Sequence, residues 1–355
     1  MKTLVLSLRK RTDNPRFSSL DDFIKLLNAY TLYADHVLSI DCADEKAFVE
    51  GVKGDSDCVF ILNAGLSTFN LGNLLLQSGF SADANGFCYA NKLVSIVPDD
   101  FNKGYEEELQ RALNKQFGTC VQKVTFKLYG LTNQEITQVT DELTEKYQGV
   151  YFDTQTENLD SLTTLIYGQR APKSTVDGAI REFILQLKDS IYAQDDISLE
   201  QRLNDVLKLR RIVLCTAESM TGGRIASRLV ETSGASDVFY EGLVTYNTLS
   251  KERRLEVSHA TVNEFSVVSS QVAFEMARGL LSQGNCNMAL TITGYAGSTV
   301  SPSDSDGLCF IAVGTPKGVS VYKYKFNGDR KSNINSATNA ALFLAVKTAE
   351  NNDSF

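Results

Sequence analysis

The segment Ile212-Val213-Leu214-Cys215-Thr216-Ala217-Glu218-Ser219-Met220-Thr221-Gly222-Gly223 decides how this chain folds. An apolar run at 212–215 precedes a polar, hydroxyl-rich stretch ending in two glycines. An amphipathic run from Arg224 to Val230 follows. That order predicts strand, tight loop, helix, the repeating unit of an α/β sheet. Such a loop at a helix start offers free backbone N–H groups and a favourable dipole to an anion or oxyanion. It also carries a serine, for which two readings stand. Serine commonly caps a helix N-terminus. Alternatively Ser219 is a nucleophile, which requires a base.

Downstream of this loop the same alternation continues. Strands are expected at 242–246 and 288–293, with a helix at 270–282. Two further strands at 308–313 and 319–326 are joined by Gly314-Thr315-Pro316-Lys317-Gly318, and a last helix is expected at 333–349. The tail 351–355 is expected to fray. Immediately upstream, Ser198-Leu199-Glu200-Gln201 reads as a capping box that opens a helix with Leu199, Leu203, Val206 and Leu207 as its apolar stripe.

Further toward the N-terminus the pattern changes. Residues 120–190 read as a small α+β module, with strands at 121–129, 150–153 and 162–166 and helices at 133–146 and 174–188. The first 115 residues alternate strands (4–8, 36–41, 58–62, 93–97) with helices (20–33, 45–52, 71–77, 106–117), which implies a mostly parallel sheet. The expected organisation is therefore α/β in three parts. These are an N-terminal α/β domain at 1–118, an α+β connecting domain at 119–196 and a C-terminal α/β domain at 197–355.

Composition narrows the function. The 355 residues are 43% hydrophobic, ordinary for packed cores, and the net charge of −8 argues against a general nucleic-acid binder. No apolar run approaches the ~20 residues of a membrane span. The start, Met1-Lys2-Thr3-Leu4-Val5-Leu6-Ser7-Leu8, lacks a signal-type cleavage site and reads as a first strand. The seven cysteines are scattered without a C-x-x-C, as expected of reduced thiols in a cytoplasmic protein. His36 and His259 are the only histidines, so a histidine-rich metal site or a histidine-based triad is hard to build.

A base for Ser219 is then a lysine, in a Ser-Lys pair. The lysine must be neutral, so its pKa must fall from about 10.4 toward 7 or 8, which requires roughly 3–5 kcal/mol of desolvation or nearby positive charge. Ligands of α/β sheets gather at strand carboxyl ends. Three loops, starting near Thr216, Tyr246 and Thr293, could converge there. Taken singly, Tyr246 reads as a half-buried strand residue, Lys251 as part of a solvated charged helix start, and Gly328-Asp329-Arg330 as a plain turn.

Taken together these residues resemble the C-terminal domain of the CinA (competence/damage-inducible protein A) family, the nicotinamide mononucleotide deamidases. The family pattern A-E-S-x-T-G-G appears as Ala217-Glu218-Ser219-Met220-Thr221-Gly222-Gly223. The pattern G-x-V-x-Y-S-N-x-x-K appears as Gly242-Leu243-Val244-Thr245-Tyr246-Asn247-Thr248-Leu249-Ser250-Lys251. Thr293-Gly294-Tyr295-Ala296-Gly297-Ser298 and Gly328-Asp329-Arg330 follow in order. The resemblance implies hydrolysis of the carboxamide of nicotinamide mononucleotide to nicotinate mononucleotide and ammonia, with no metal and no cofactor. It implies catalytic roles for Ser219, Lys251 and Tyr246. It implies substrate contacts from Glu218, Thr221, Gly222, Gly223, Thr293, Gly294 and Arg330, with oxyanion donors near Thr221–Gly223. A cytoplasmic homodimer that engages neither membrane nor nucleic acid is the family-like expectation.

The chain departs from the family in three places. The Gly-rich stretch of the third motif is replaced by Ser298-Thr299-Val300-Ser301-Pro302-Ser303-Asp304-Ser305-Asp306, whose aspartates would repel a phosphate. A second family arginine falls near Ile334-Asn335. The front of the chain resembles a shortened molybdopterin-binding-like domain. It reads Ser7-Leu8-Arg9-Lys10-Arg11 and Asn63-Ala64-Gly65-Leu66-Ser67-Thr68 where the family has G-D-E-L and G-G-L-G-P-T motifs, so no pyrophosphatase activity is expected. The middle module is similar to a KH domain but lacks the G-x-x-G loop.

Overall fold

The computed structural model describes residues 2–9, 18–29, 32, 34–63, 68–83, 86–89, 92–97, 105, 107–109, 111–113, 121–168, 171–297 and 305–351. Lys10, Arg11, 64–67, Cys120, 298–304 and the tail 352–355 lie outside them. The protein is α/β and forms two compact units. One comprises residues 1–124, 138–153 and 164–186; the other comprises 125–137, 154–163 and 187–355. Residues of the expected connecting domain fall in both.

The first unit is built on β1 (Thr3–Arg9), α1 (Ser18–Ala29), β2 (Ala34–Asp41), α2 (Glu45–Lys53), β3 (Cys58–Asn63), α3 (Thr68–Gln77), β4 (Ser81–Asp83), β5 (Gly86–Tyr89) and β6 (Lys92–Val97). Its six-stranded sheet runs β2-β1-β3-β6-β5-β4, parallel through β6 and antiparallel beyond. Alternation along the strands fills both faces. Val5 and Phe60 pack with Phe23 and Leu27 of α1, whereas Leu4, Leu6 and Ile61 pack with Phe48 and Val52 of α2 and Leu71 and Leu75 of α3. The β4–β5 hairpin was not expected from sequence; its strands are too short for a period to register.

The middle of the chain supplies β7 (Val121–Tyr129), α4 (Asn133–Lys146), β8 (Val150–Glu157), β9 (Asp160–Gly168), α5 (Lys173–Leu187) and β10 (Ile191–Ala193), with sheet order β10-β7-β9-β8.

The last stretch folds as α6 (Leu199–Arg210), β11 (Leu214–Glu218), α7 (Arg224–Val230), β12 (Phe239–Val244), α8 (Thr248–Leu255), α9 (His259–Phe265), α10 (Ser270–Ser282), β13 (Met288–Gly294), β14 (Leu308–Thr315), β15 (Gly318–Lys325) and α11 (Arg330–Glu350). The five-stranded sheet is ordered β12-β11-β13-β14-β15, with β11 parallel to both neighbours and the last two pairings antiparallel. Leu214, Leu290 and Ile311 pack on one face with α6 and α11. Cys215, Ala217 and Ala312 pack on the other with Val272, Met276 and Leu280 of α10. The Ser198 hydroxyl accepts from Gln201 N–H, which is the N-cap half of the expected box, while the Gln201 side chain donates to Asp205 (2.8 Å).

Two differences matter for the site. The strand expected at 212–215 lies at Leu214–Glu218, so Thr216, Ala217 and Glu218 belong to the sheet rather than to the loop. Pairing on both sides explains this, since Glu218 is opposite Val244 on β12 and Ile292 on β13. The charged stretch around Lys251 is helix α8, pressed so closely against α10 that a Cβ on Gly279 would lie 2.0 Å from the Leu255 carbonyl oxygen.

Candidate active site

Parallel pairing brings the carboxyl ends of β11, β12 and β13 to one level. Ser219 N–H donates to the Ile292 carbonyl (3.1 Å) and Thr245 N–H to the Glu218 carbonyl (2.8 Å). The three loops that the sequence suggested could converge do so.

The cap reading of Ser219 is corrected here. The N-cap of α7 is Gly223, with φ of 94° and no side-chain cap bond. The capping is done by Glu218. Its fully buried carboxylate accepts from Gly223 N–H (3.0 Å), Ile225 N–H (3.1 Å) and Ala226 N–H (2.8 Å). A carboxylate at that position satisfies orphan donors and sits favourably in the helix dipole. This leaves the Ser219 hydroxyl available.

That hydroxyl lies 2.9 Å from Lys251 Nζ. Lys251 is completely buried, and its Nζ also donates to the carbonyls of Thr245 (2.6 Å) and Tyr246 (3.4 Å). It forms no ion pair among the described residues. Burial without a counter-charge disfavours the ammonium and lowers its pKa to about 8. The expectation of a solvated lysine is thus reversed. The cause is local: Asn247 caps α8 by accepting from Leu249 N–H, and the first turn then directs Lys251 inward. The three oxygens accept from the three donors of the ammonium, and on deprotonation the amine can keep both carbonyl bonds while its lone pair takes the Ser219 hydroxyl proton.

A cavity of about 320 Å³ opens beside the pair, lined by Ser219, Tyr246, Lys251, Thr293, Gly294 and Arg330 among others. Glu218, Thr221, Gly222 and Gly223, expected to contact substrate, do not line it. Glu218 is consumed by the cap, Thr221 is buried, and Gly222 N–H donates to the Ser219 carbonyl (3.1 Å). Gly222 and Gly223 N–H are thus both engaged within the loop and its cap. Met220 and Thr221 N–H have no acceptor among the described residues.

The remaining expected residues come together. Arg330, the first residue of α11, donates to Tyr246 Oη (3.2 Å) and to the Gly297 carbonyl (3.0 Å), so the G-D-R turn is also a helix start capped by Asp329. Thr293 donates its hydroxyl proton to the Val267 carbonyl (2.9 Å), which leaves only its lone pairs for a ligand. Gly294 is required by packing: a Cβ there would lie 2.3 Å from Met220 Sδ and 2.5 Å from Cys309 Cβ. The lining also holds Thr248 and Tyr295 of the quoted motifs and Asp306 of the altered loop, together with Val267 and Val268, which sequence reasoning did not single out. Val267 and Val268 carry no motif, and only the fold brings them there. Of the loop 298–306, only Ser305 and Asp306 fall within the described residues, and Asp306 lines the cavity.

The fold and site define an α/β domain with a buried serine–lysine pair at the carboxyl ends of parallel strands. Residues 196–349 match the family model described as "CinA C-terminal domain". A CinA-like protein from Flavobacterium psychrophilum is 37% identical over 177 residues, 49% of this chain and 42% of that protein. A relative from Desulforamulus reducens, named for competence-damage induction, is 32% identical over 232 residues, 64% of this chain and 56% of its own length. The chain therefore spans about half the length of these curated relatives. Among solved structures, a CinA superfamily protein from Klebsiella pneumoniae is 27% identical, with 42% of this chain and 95% of that chain covered and a TM-score of 0.41. No helix among the described residues is long and apolar enough to cross a membrane.

Proposed function

We propose that this protein hydrolyses a carboxamide by serine–lysine chemistry, and that the carboxamide is that of nicotinamide mononucleotide. The observation that carries this reading is Lys251 Nζ, buried and 2.9 Å from Ser219 Oγ, with carbonyls as its other partners. Neutral Lys251 accepts the Ser219 proton as Oγ bonds to the carboxamide carbon. Met220 N–H, on the cavity wall, stabilises the oxyanion. The C–N bond then breaks, the lysine proton passes to departing ammonia, and an acyl-Ser219 ester remains. Water, deprotonated by Lys251, cleaves that ester to the carboxylate and restores Ser219. Arg330 and Tyr246 hold the ligand at the mouth, the guanidinium facing the phosphate.

Incubation with nicotinamide mononucleotide, reading ammonia and nicotinate mononucleotide together, tests the proposal. Both products in equal amounts are expected, and none from Ser219→Ala. A second reading, an amidase of an unphosphorylated carboxamide, is favoured by one observation. Asp306 lines the same cavity as Arg330 and would oppose a phosphate there. The riboside as alternative substrate separates the two. Cytoplasmic residence and a homodimer are the accompanying proposals, the latter checked by light scattering.

A further inference from the structure

A second cavity of about 480 Å³ lies in the same unit and shares no lining residue with the first. Its walls come from the β8–β9 hairpin, from Lys127 on β7, from α7 and from α11. The hairpin is fixed: Asn158 and Leu159 both have positive φ (51° and 65°), and Leu159 is held in that unfavourable conformation by packing against the core.

The chemistry of the walls is donor-rich. Arg224 and Arg228 project from α7 at i and i+4, opposite Asn335 and Asn339 at i and i+4 on α11. Arg224 donates to Asn335 Oδ1 and Arg228 to Asn339 Oδ1. With each amide oxygen turned to an arginine, each amide NH₂ remains as a donor without an acceptor among the described residues. The acidic groups nearby are accounted for. Asp160 is engaged by Lys127 (3.2 Å) and by the Tyr192 hydroxyl (2.9 Å), Glu200 pairs with Arg228 (2.5 Å), and Glu157, which also lines the cavity, is exposed so that solvent screens its charge. Arg224 is half-buried and has no carboxylate partner among the described residues; its one hydrogen bond is to Asn335. A guanidinium with spare N–H groups, flanked by two amide donors, is built for a multivalent oxyanion.

We propose that this cavity binds a phosphorylated small molecule of mononucleotide size, its phosphoryl group on Arg224 with Asn335 and Asn339 beside it. The site is separate from Ser219 and stands whether or not the amidase reading does. A macromolecular phosphate backbone is disfavoured by the chain's net charge of −8.

Calorimetric titration of the full chain with adenosine monophosphate tests this. Saturable binding is expected in wild type and unchanged in Ser219→Ala and Arg330→Ala. Arg224→Gln should weaken it about 10- to 100-fold, the loss of one charge-assisted contact. Asn339→Asp and Asn335→Asp, which keep shape but replace donors with a repelling carboxylate, give the same loss and serve if Arg224→Gln does not fold. Binding indifferent to these three changes overturns the assignment, as does binding abolished by Arg330→Ala, or none at millimolar nucleotide. A single-stranded oligonucleotide that binds these same variants more tightly than the mononucleotide overturns the small-molecule occupant.

Discussion

Lys92 in the first unit and Lys251 in the second have similar surroundings and different prospects. Lys92 Nζ donates to the carbonyls of Val52 (2.9 Å) and Gly54, and partial burial lowers its pKa. Lys251 Nζ donates to two carbonyls as well, and burial lowers its pKa further, to about 8. Lys92 keeps Asp55 and Asp57 close enough to favour its charge, and no hydroxyl faces it among its described partners. Lys251 has no such carboxylates among the described residues and has Ser219 at 2.9 Å. Carbonyl partners alone hold a lysine in place. A base additionally needs freedom from counter-charges and a proton to accept.

The sharpest way to break the contrast is to remove the hydroxyl. Ser219→Ala should reduce amide hydrolysis by a factor on the order of 10⁴ or more while leaving the fold intact, read as ammonia release and an unchanged melting curve. Residual activity near wild type would make Lys251 as incidental to chemistry as Lys92.

Much of the fold and of the site around Lys251 was legible in the sequence, but not all of it. Strand–helix alternation fixed the α/β class and placed α4 and α10 at Asn133–Lys146 and Ser270–Ser282 as expected. The order of Ser219, Tyr246, Lys251, Thr293 and Arg330 survived because each closes or follows an element of one sheet. What could not be read was direction. Nothing in Ser250-Lys251-Glu252-Arg253-Arg254 says that Lys251 points inward while its neighbours stay wet, since that depends on where Asn247 caps α8. Likewise Glu218, which the family resemblance assigned to the ligand, is taken up by three amide donors from a helix that begins after it.

Glu218→Ala should therefore act on stability before chemistry, destabilising by about 2–4 kcal/mol through three orphaned buried amides, measured by denaturant unfolding. Loss of activity without loss of stability would instead return Glu218 to the ligand. Lys251→Met should go the other way at pH 7. Removal of a desolvated ammonium, worth up to about 3 kcal/mol by its pKa shift, outweighs two orphaned carbonyls and leaves a net gain of about 1–2 kcal/mol. The folded-state pKa lies below the unfolded value of 10.5. The unfolded chain thus binds more protons between about 8 and 10.5, wild-type stability rises with pH across that window, and the advantage of Lys251→Met shrinks over it. The smallest effect is expected at the rim, where Arg330→Ala should raise KM about tenfold with little change in kcat, since Arg330 contacts Tyr246 and Gly297 rather than the reacting pair.

The pH dependence of kcat/KM tests the role of Lys251 most directly. If burial supplies a neutral amine, activity rises with unit slope to a plateau above an apparent pKa of about 8, and at pH 6 lies ~100-fold below that plateau. A profile flat from acid to alkaline pH, or one rising only near the ordinary lysine value of 10.5, would contradict Lys251 as the base.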